Sequence, residues 1–173
     1  MRMSCFILRQ TCFSLSQEGV TTLEMKLQPK AVNPAKLHEL AHGVIQNAKF
    51  PMLATVDPSG QPRVRPVSPV RVDDDFTVYI ANLKSYQKTH EISVNPKVEL
   101  AYLDSSHDQV RISGEVRRVS DGALIEEIWK KNPLLSHYLG SPENPEFILY
   151  QVIAQSVRFM KEWSLEYFEV PIK

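Results

Sequence analysis

The stretch MLATVDPSGQPRVRPVSPV, residues 52–70, decides the fold of this chain. It holds two strand-like runs separated by the turn sequence Asp57-Pro58-Ser59-Gly60. Pro and Gly in these positions favour a tight reversal between extended segments. The stretch therefore predicts an antiparallel β-hairpin.

The segments on either side of this hairpin extend the same pattern. Asn33 as N-cap and Pro34 at the first position predict an amphipathic helix over about residues 34–48. Further predicted elements are a strand ending near 81, a short helix capped by Ser85, strands at 97–104 and 109–120, a helix capped by Asp121, a Pro-rich loop over 132–146, and final strands at 147–163 and 165–170. At least six strands, mostly linked by hairpins, predict a mainly β chain of the α+β class: an antiparallel barrel or sandwich with peripheral helices.

Length and charge narrow the class of protein. The chain has 173 residues, with 20 basic and 20 acidic side chains that leave no net charge. A broad nucleic-acid or membrane surface is not expected, because it would need a basic field, but a local anion site is compatible with neutrality. The two cysteines, Cys5 and Cys12, suggest no disulfide framework and favour a reducing cytoplasm.

We expect two parts along the chain. Residues 1–32 are expected to be a flexible or dispensable extension, and Met25 is an alternative start. Residues 33–173 are expected to form a single domain. No run approaches the ~20 apolar residues that a membrane-spanning helix needs.

Basic residues mark a candidate anion site. Arg63 and Arg65 lie two apart on a predicted strand, so their side chains project to one face. Taken alone, the two arginines are more simply explained as ordinary charged residues on an exposed strand face. Lys88, however, falls in the first turn of the short helix, where Lys84 and Ser85 adjoin free backbone N–H groups. Two candidate anion sites on consecutive elements favour binding of a phosphate or a carboxylate.

Three segments, in this order and spacing, carry a resemblance to a known family: TVDPSGQPRVRPV, VYIANLKSYQKTHEISVNPKVELAY and QVRISGEVRRVSD. From about Phe50 to Trp163 the chain resembles the FMN-binding split-barrel proteins related to pyridoxamine 5'-phosphate oxidase, in particular the general stress proteins. The resemblance implies an FMN-binding homodimer with cofactor sites at the interface. A deazaflavin cofactor is the alternative, as is a non-catalytic flavin-binding stress protein.

The resemblance also implies site residues. Arg63 would bind the FMN phosphate with Arg65 and Ser68 beside it, and Lys88 would be the basic residue of the short helix. Gln109 would reach the flavin from the partner subunit. The other implied cofactor-binding residues are Val67, Ile80, Ala81, Asn82, Ser85 and Trp163; for Trp163, a buried position at the barrel end is the favoured alternative.

This sequence departs from the authentic oxidase in three ways. It lacks the arginine-containing substrate signature near the C-terminus, ending instead in RFMKEWSLEYFEVPIK. Ser68 also stands where the oxidase has a second phosphate lysine. The segment before Lys88 is one residue longer and lacks the oxidase's Ser-Arg-Lys run. We therefore expect an FMN-dependent oxidoreductase acting on another small substrate, with NAD(P)H as a candidate electron donor.

The segment HELAH, residues 38–42, is a weaker alternative. It is a literal His-Glu-x-x-His, which in zinc peptidases places two histidines on one helix face with the glutamate as base. No clear downstream motif offers a third ligand, and residues 72–75, VDDD, are interpreted as a solvated turn. We therefore predict no metal site from the sequence.

Overall fold

The computed structural model describes residues 31–172, which contain eight strands and four helices. The strands are β1 (Met52–Val56), β2 (Pro62–Pro66), β3 (Pro69–Val72), β4 (Val78–Leu83), β5 (Lys97–Leu103), β6 (Gln109–Arg118), β7 (Phe147–Met160) and β8 (Phe168–Glu169). The helices are α1 (Leu37–Ala48), α2 (Gln87–Val94), α3 (Gly122–Lys131) and α4 (Pro133–Leu139), and a 3-10 turn over Pro34–Lys36 leads into α1.

All eight strands belong to one curled antiparallel sheet. Its order is β2-β1-β5-β6-β7-β4-β3, and β8 pairs with the far end of β7. The register between β6 and β7 shifts at Gly114, where a Cβ atom would lie only 2.2 Å from the backbone oxygen of Ile153. Glycine therefore permits the close approach of these two strands.

Two apolar clusters cover opposite faces of the sheet. In the larger one, α1 buries Leu37, Ala41, Val44 and Ile45 against the sheet, at the spacing of one helical face. On β4, Val78 and Ile80 belong to this cluster, whereas Tyr79 belongs to the smaller cluster beneath α3 and α4. Alternating side chains of one strand thus reach both cores.

The predicted antiparallel split-barrel class is confirmed, and several local predictions hold. The side chain of Asn33 accepts a hydrogen bond from the N–H of Ala35 at 3.0 Å, and Asp121 caps α3. The sharp turn between β1 and β2 lies where it was predicted. The expected extension and both cysteines lie outside the described residues, apart from positions 31 and 32.

Other local predictions are wrong. The second hairpin strand breaks into β2 and β3 between Pro66 and Pro69, because proline lacks the N–H group that a continuous ladder needs. The Pro-rich loop contains α4, which begins at Pro133. Ser85 does not cap α2; Tyr86 occupies that position without a side-chain cap. Among residues 31–172, no helix is both long and apolar enough to cross a membrane.

Candidate cofactor-binding site

A cavity of about 480 Å³ opens between β3, β4 and α4. Residues that line it include Ser68, Ala81, Asn82, Tyr86, Leu134 and Tyr138. Its volume lies in the range typical of small-molecule sites. The two tyrosines and Leu134 are exposed, and exposed apolar side chains gathered around a cavity mark a binding surface.

A cation lies beside Tyr86, one of the residues that line the cavity. Lys88 lies in the first turn of α2, and its ammonium group stands 5.4 Å from the centroid of the Tyr86 ring. Burial lowers the pKa of Lys88, and the nearby charge of Arg65 lowers it further. Because the two cations destabilise one another, an anion bound between them would be favoured.

Arg65 is partly neutralised by a buried acid. Its guanidinium donates a hydrogen bond to Glu91 Oε2 at 2.6 Å, and the Glu91 side chain is 1% exposed. Thr55 donates to the same oxygen at 2.5 Å, and Arg65 donates in turn to the Thr55 hydroxyl. Lys88, Arg65 and Glu91 together leave one net positive charge.

Arg63 binds a different carboxylate from Arg65. Its guanidinium pairs with Asp57 at 3.0 Å across the β1–β2 turn. The pKa of Asp57 is lowered from its ordinary 3.8 to about 2, mainly by the hydrogen bond from the Ser59 hydroxyl, with Arg63 contributing. The two arginines therefore share a strand but bind different carboxylates, and only Arg65 has its charge next to Lys88.

Asn82 connects the cavity to α2. Its amide nitrogen donates to Thr89 Oγ1 at 2.6 Å, and Thr89 donates to the carbonyl of Leu83. The Asn82 side chain is buried, yet its Oδ1 has no hydrogen-bond partner among residues 31–172. A buried acceptor without a partner costs free energy.

The other predicted residues form three groups: two residues of the larger core, the Lys84–Ser85 pair, and the distant residues Gln109 and Trp163. Val67 and Ile80 are buried in the larger core, and neither lines the cavity. The backbone N–H of Ser85 donates to Glu146 Oε2 at 3.1 Å, and Lys84 donates to the carbonyl of Pro145. The proposed Lys84–Ser85 half of the anion site is therefore already occupied by internal partners.

Gln109 and Trp163 lie far from this cavity within one protomer. On β7, Ile148 pairs with Asn82 and Met160 pairs with Gln109. Twelve residues of strand separate these two positions, a path of about 40 Å. Gln109 accepts a hydrogen bond from Tyr167, also at the far end.

Trp163 follows β7 directly, and its ring centroid lies 5.4 Å from that of His107. The indole is 55% exposed, so the expectation of a buried tryptophan is wrong.

Sequence reasoning missed Glu91 and the α4 side chains. Glu91 lies in a short helix of low hydrophobicity, where a charged residue ordinarily faces solvent, and no local pattern marks its contact with Arg65. Leu134 and Tyr138 were assigned to a loop. Their spacing of four residues after Pro133 was the signal that could have revealed a short helix.

The family model described as Pyridoxamine 5'-phosphate oxidase matches residues 37–161, and this chain belongs to that family. It is 42% identical over 135 residues to the pyridoxine/pyridoxamine 5'-phosphate oxidase of Alteromonas mediterranea, covering 76% of this chain and 61% of that protein. It is 34% identical over 110 residues to the protein of the same name from Agrobacterium fabrum, covering 62% of this chain and 53% of that protein. The chain thus spans about half the length of that curated relative.

Solved structures resemble the fold. General Stress Protein 26 from Bacillus anthracis aligns with a TM-score of 0.65 at 22% identity, covering 78% of this chain and 98% of that one. An FMN binding protein from Nostoc punctiforme, related to pyridoxamine 5'-phosphate oxidase, aligns with a TM-score of 0.60 at 18% identity, covering 76% and 85%. At these identities the likeness concerns the split-barrel fold.

Proposed function

We propose that this protein binds FMN and uses it in an oxidoreductase reaction on a small substrate. The observation that carries the proposal is the cationic pair of Lys88 and Arg65, of which Lys88 lies over Tyr86 in the wall of an apolar cavity. Family membership gives the proposal its context, and the Nostoc punctiforme protein of similar fold is named as FMN-binding. We place this activity in the cytoplasm.

The residues present fit a flavin mononucleotide. Lys88 and Arg65 offer charge-assisted hydrogen bonds to a phosphate, whose negative charge would relieve the repulsion between them. Tyr86 and the exposed side chains of α4 offer apolar contact to a planar ring system. Asn82 also lines the cavity, and its amide nitrogen is held by Thr89.

When bound, FMN supplies the redox chemistry, and the chain supplies binding, orientation and exclusion of water. Lys88 and Arg65 would hold the phosphate end. Ser68 and Ala81 would border the part of the ligand within the cavity. NAD(P)H is the proposed source of electrons, and the differences from the oxidase noted above favour a substrate other than pyridoxamine phosphate.

We further propose a homodimer with its two cofactor sites at the subunit interface. Gln109 lies some 12 residues of β7 away from the cavity of its own protomer, so it could contact the flavin only across a dimer interface. The exposed cavity wall on α4 is the kind of surface that a second subunit covers.

The first experiment is an FMN titration of the purified full-length protein, followed by quenching of flavin fluorescence. Lys88→Ala should weaken FMN binding about 10- to 150-fold, because a charge-assisted hydrogen bond contributes about 1.5–3 kcal/mol. The matched control is Lys130→Ala, which removes an exposed helical lysine paired with Glu126. A colourless wild-type protein that takes up no FMN would refute the proposal, and an absorbance spectrum of bound deazaflavin would identify the alternative cofactor.

Subunit mixing tests the interface. Lys88→Ala and Gln109→Ala homodimers should each bind FMN weakly at both sites. A mixed dimer of the two variants should regain one wild-type site, because both substitutions then fall in the other site. If the mixture shows no recovered high-affinity binding, Gln109 does not act across the interface.

Turnover separates the enzyme from a non-catalytic flavin-binding stress protein. NAD(P)H oxidation in the presence of FMN and electron acceptors should be measurable in steady state. Tight FMN binding without turnover over a broad substrate panel would favour the non-catalytic alternative.

A further inference from the structure

Two histidines and an aspartate converge at the side of the molecule where α1 crosses the β3–β4 turn. His38 and His42 lie one turn apart on α1, and their Nε2 atoms are 2.8 and 3.2 Å from the backbone oxygen of Asp74. The same nitrogens are 3.8 and 3.9 Å from Asp74 Oδ1. One ligand atom from each side chain can be chosen so that all three lie within 4.8 Å of one another.

We propose that His38, His42 and Asp74 bind a divalent transition-metal ion such as Zn²⁺. Two imidazole nitrogens and one carboxylate oxygen are a donor set that zinc accepts, with water in a fourth position. In a tetrahedral site with bonds of about 2.0–2.2 Å, ligand atoms lie about 3.3–3.6 Å apart. The observed separations therefore need closure of little more than about 1 Å, and Asp74 lies in the turn between β3 and β4 with 75% of its side chain exposed.

The histidines are held in place before any ion binds. The Phe76 ring is fully buried and stacks on His42 at 4.4 Å between centroids, and it meets the His38 ring edge-on at 4.9 Å. Both imidazoles are partly buried, with 17% and 20% of their side chains exposed. This support reduces the entropy lost when the two nitrogens bind one ion.

The surroundings also favour a cation. A cavity of about 780 Å³, separate from the candidate flavin cavity, is lined by both histidines and by Glu39, Asp74, Asp104 and Asp108. Among the described residues that line it, none is lysine or arginine. Lys161 pairs with Asp108 from outside the lining, and the remaining carboxylates leave the cavity negative.

This site differs from the peptidase suggested by the HELAH sequence. Its third ligand comes from the solvated turn at residues 72–75, which the fold brings to α1 from about 30 positions further along the chain. We propose that this site binds a metal ion, and we propose no peptidase activity for it. The site is also independent of the flavin proposal, since no residue is shared between the two.

A purely structural role is the competing explanation, because both imidazoles can also donate to the Asp74 carbonyl and tie the turn to α1. The variant His42→Gln distinguishes the structural role from metal binding. Glutamine keeps an N–H donor for that carbonyl but lacks the imidazole ligand. Asp74→Asn similarly keeps the backbone carbonyl and removes the carboxylate.

The experiment uses calorimetric titration of the full-length protein with Zn²⁺ and visible absorption with Co²⁺ as a geometric probe. Wild type should bind one ion per chain with tetrahedral Co²⁺ bands. Both variants should lose more than about tenfold in affinity, because disturbing even outer-shell partners of a metal site typically costs about 10–100-fold.

Two controls make the result decisive. His90→Gln alters an exposed histidine of α2 and should bind zinc as wild type does. A double Cys5→Ser, Cys12→Ser variant removes both thiols and should also retain binding. The proposal is overturned if wild type shows no saturable binding, if His42→Gln and Asp74→Asn bind normally, or if the cysteine variant abolishes the signal.

Discussion

The buried ion pair between Glu91 and Arg65 should contribute measurably to folding. Glu91 is almost completely excluded from solvent and accepts hydrogen bonds from both Arg65 and Thr55. Glu91→Gln keeps the size of the side chain but removes its charge, leaving the guanidinium without a counterion. The perturbation is thus electrostatic, with little change in packing.

The magnitude follows from the exposure of the two partners. Removing one partner of a fully buried ion pair typically costs about 3–5 kcal/mol, whereas an exposed pair contributes about 0–1 kcal/mol. The Arg65 side chain is 25% exposed, so water can replace part of the lost interaction. We therefore expect a loss of about 2 kcal/mol in the free energy of unfolding, between these two limits.

Urea unfolding followed by far-ultraviolet circular dichroism measures this loss through the midpoint at unchanged slope. The matched control is Glu126→Gln, which breaks the exposed pair between Glu126 and Lys130 on α3. This control should change stability by no more than about 0.5 kcal/mol. If Glu91→Gln falls within the same limit, the Glu91–Arg65 pair makes no special contribution and the reasoning from burial is wrong.

Two further predictions concern other parts of the fold. Gly114→Ala should destabilise the protein by about 3 kcal/mol or more in urea unfolding, since the new Cβ would clash with the Ile153 backbone. The control Gly43→Ala, whose Cβ would stand in open space on α1, should instead stabilise the protein by about 0.5–1 kcal/mol. Equal effects of the two substitutions would refute the claim that the close approach of β6 and β7 requires glycine. Ser59→Ala should raise the pKa of the Asp57 carboxyl from about 2 toward 3.8, as measured by NMR titration. The lowered pKa of Asp57 stabilises the fold above pH 3.8, and this contribution is lost as the pH falls toward 2. The Ser59→Ala variant should therefore lose less stability than wild type between pH 3.8 and 2. An unchanged Asp57 pKa would show that the Ser59 hydroxyl is not the main cause of the shift.

Local elements were predictable because their signals are local. The Asp57–Gly60 turn, the Asn33 cap and the Asp121 cap each depend on a few adjacent residues, and the structure contains all three. The order of strands depends instead on contacts between distant segments. The sequence patterns predicted an antiparallel barrel or sandwich, and the family resemblance implied the split barrel. Neither predicted that β4 pairs with β7, which begins more than 60 residues further along the chain.

The candidate site was predictable in part. Ser68, Ala81 and Asn82 do line one cavity, and the charge of Arg65 does reach Lys88. The counterions were not predictable. Asp57 and Glu91 bind the two arginines separately, and which carboxylate meets which guanidinium depends on side-chain positions that strand alternation alone does not specify.

The location of α4 shows why a residue type can mislead. Pro133 suggested a loop because proline disrupts helix interiors, but at the first helical position its missing N–H costs nothing. The error concealed Leu134 and Tyr138, two of the most exposed apolar residues around the cavity. The same compositional reasoning treated the 72–75 turn as solvent-facing only, although folding brings Asp74 to the histidines of α1.

Unfavourable features gather at one end of the candidate site, and their clustering argues for a ligand. Lys88 is held beside Arg65 in surroundings that disfavour its charge. Asn82 Oδ1 and Glu91 Oε1 are two of the four buried side-chain atoms without a hydrogen-bond partner among residues 31–172. The charge of Lys88 and the two unpartnered oxygens each cost free energy in the unliganded chain. A bound phosphate would compensate the cost at Lys88 and Arg65, whereas a purely structural role for the two cations would not.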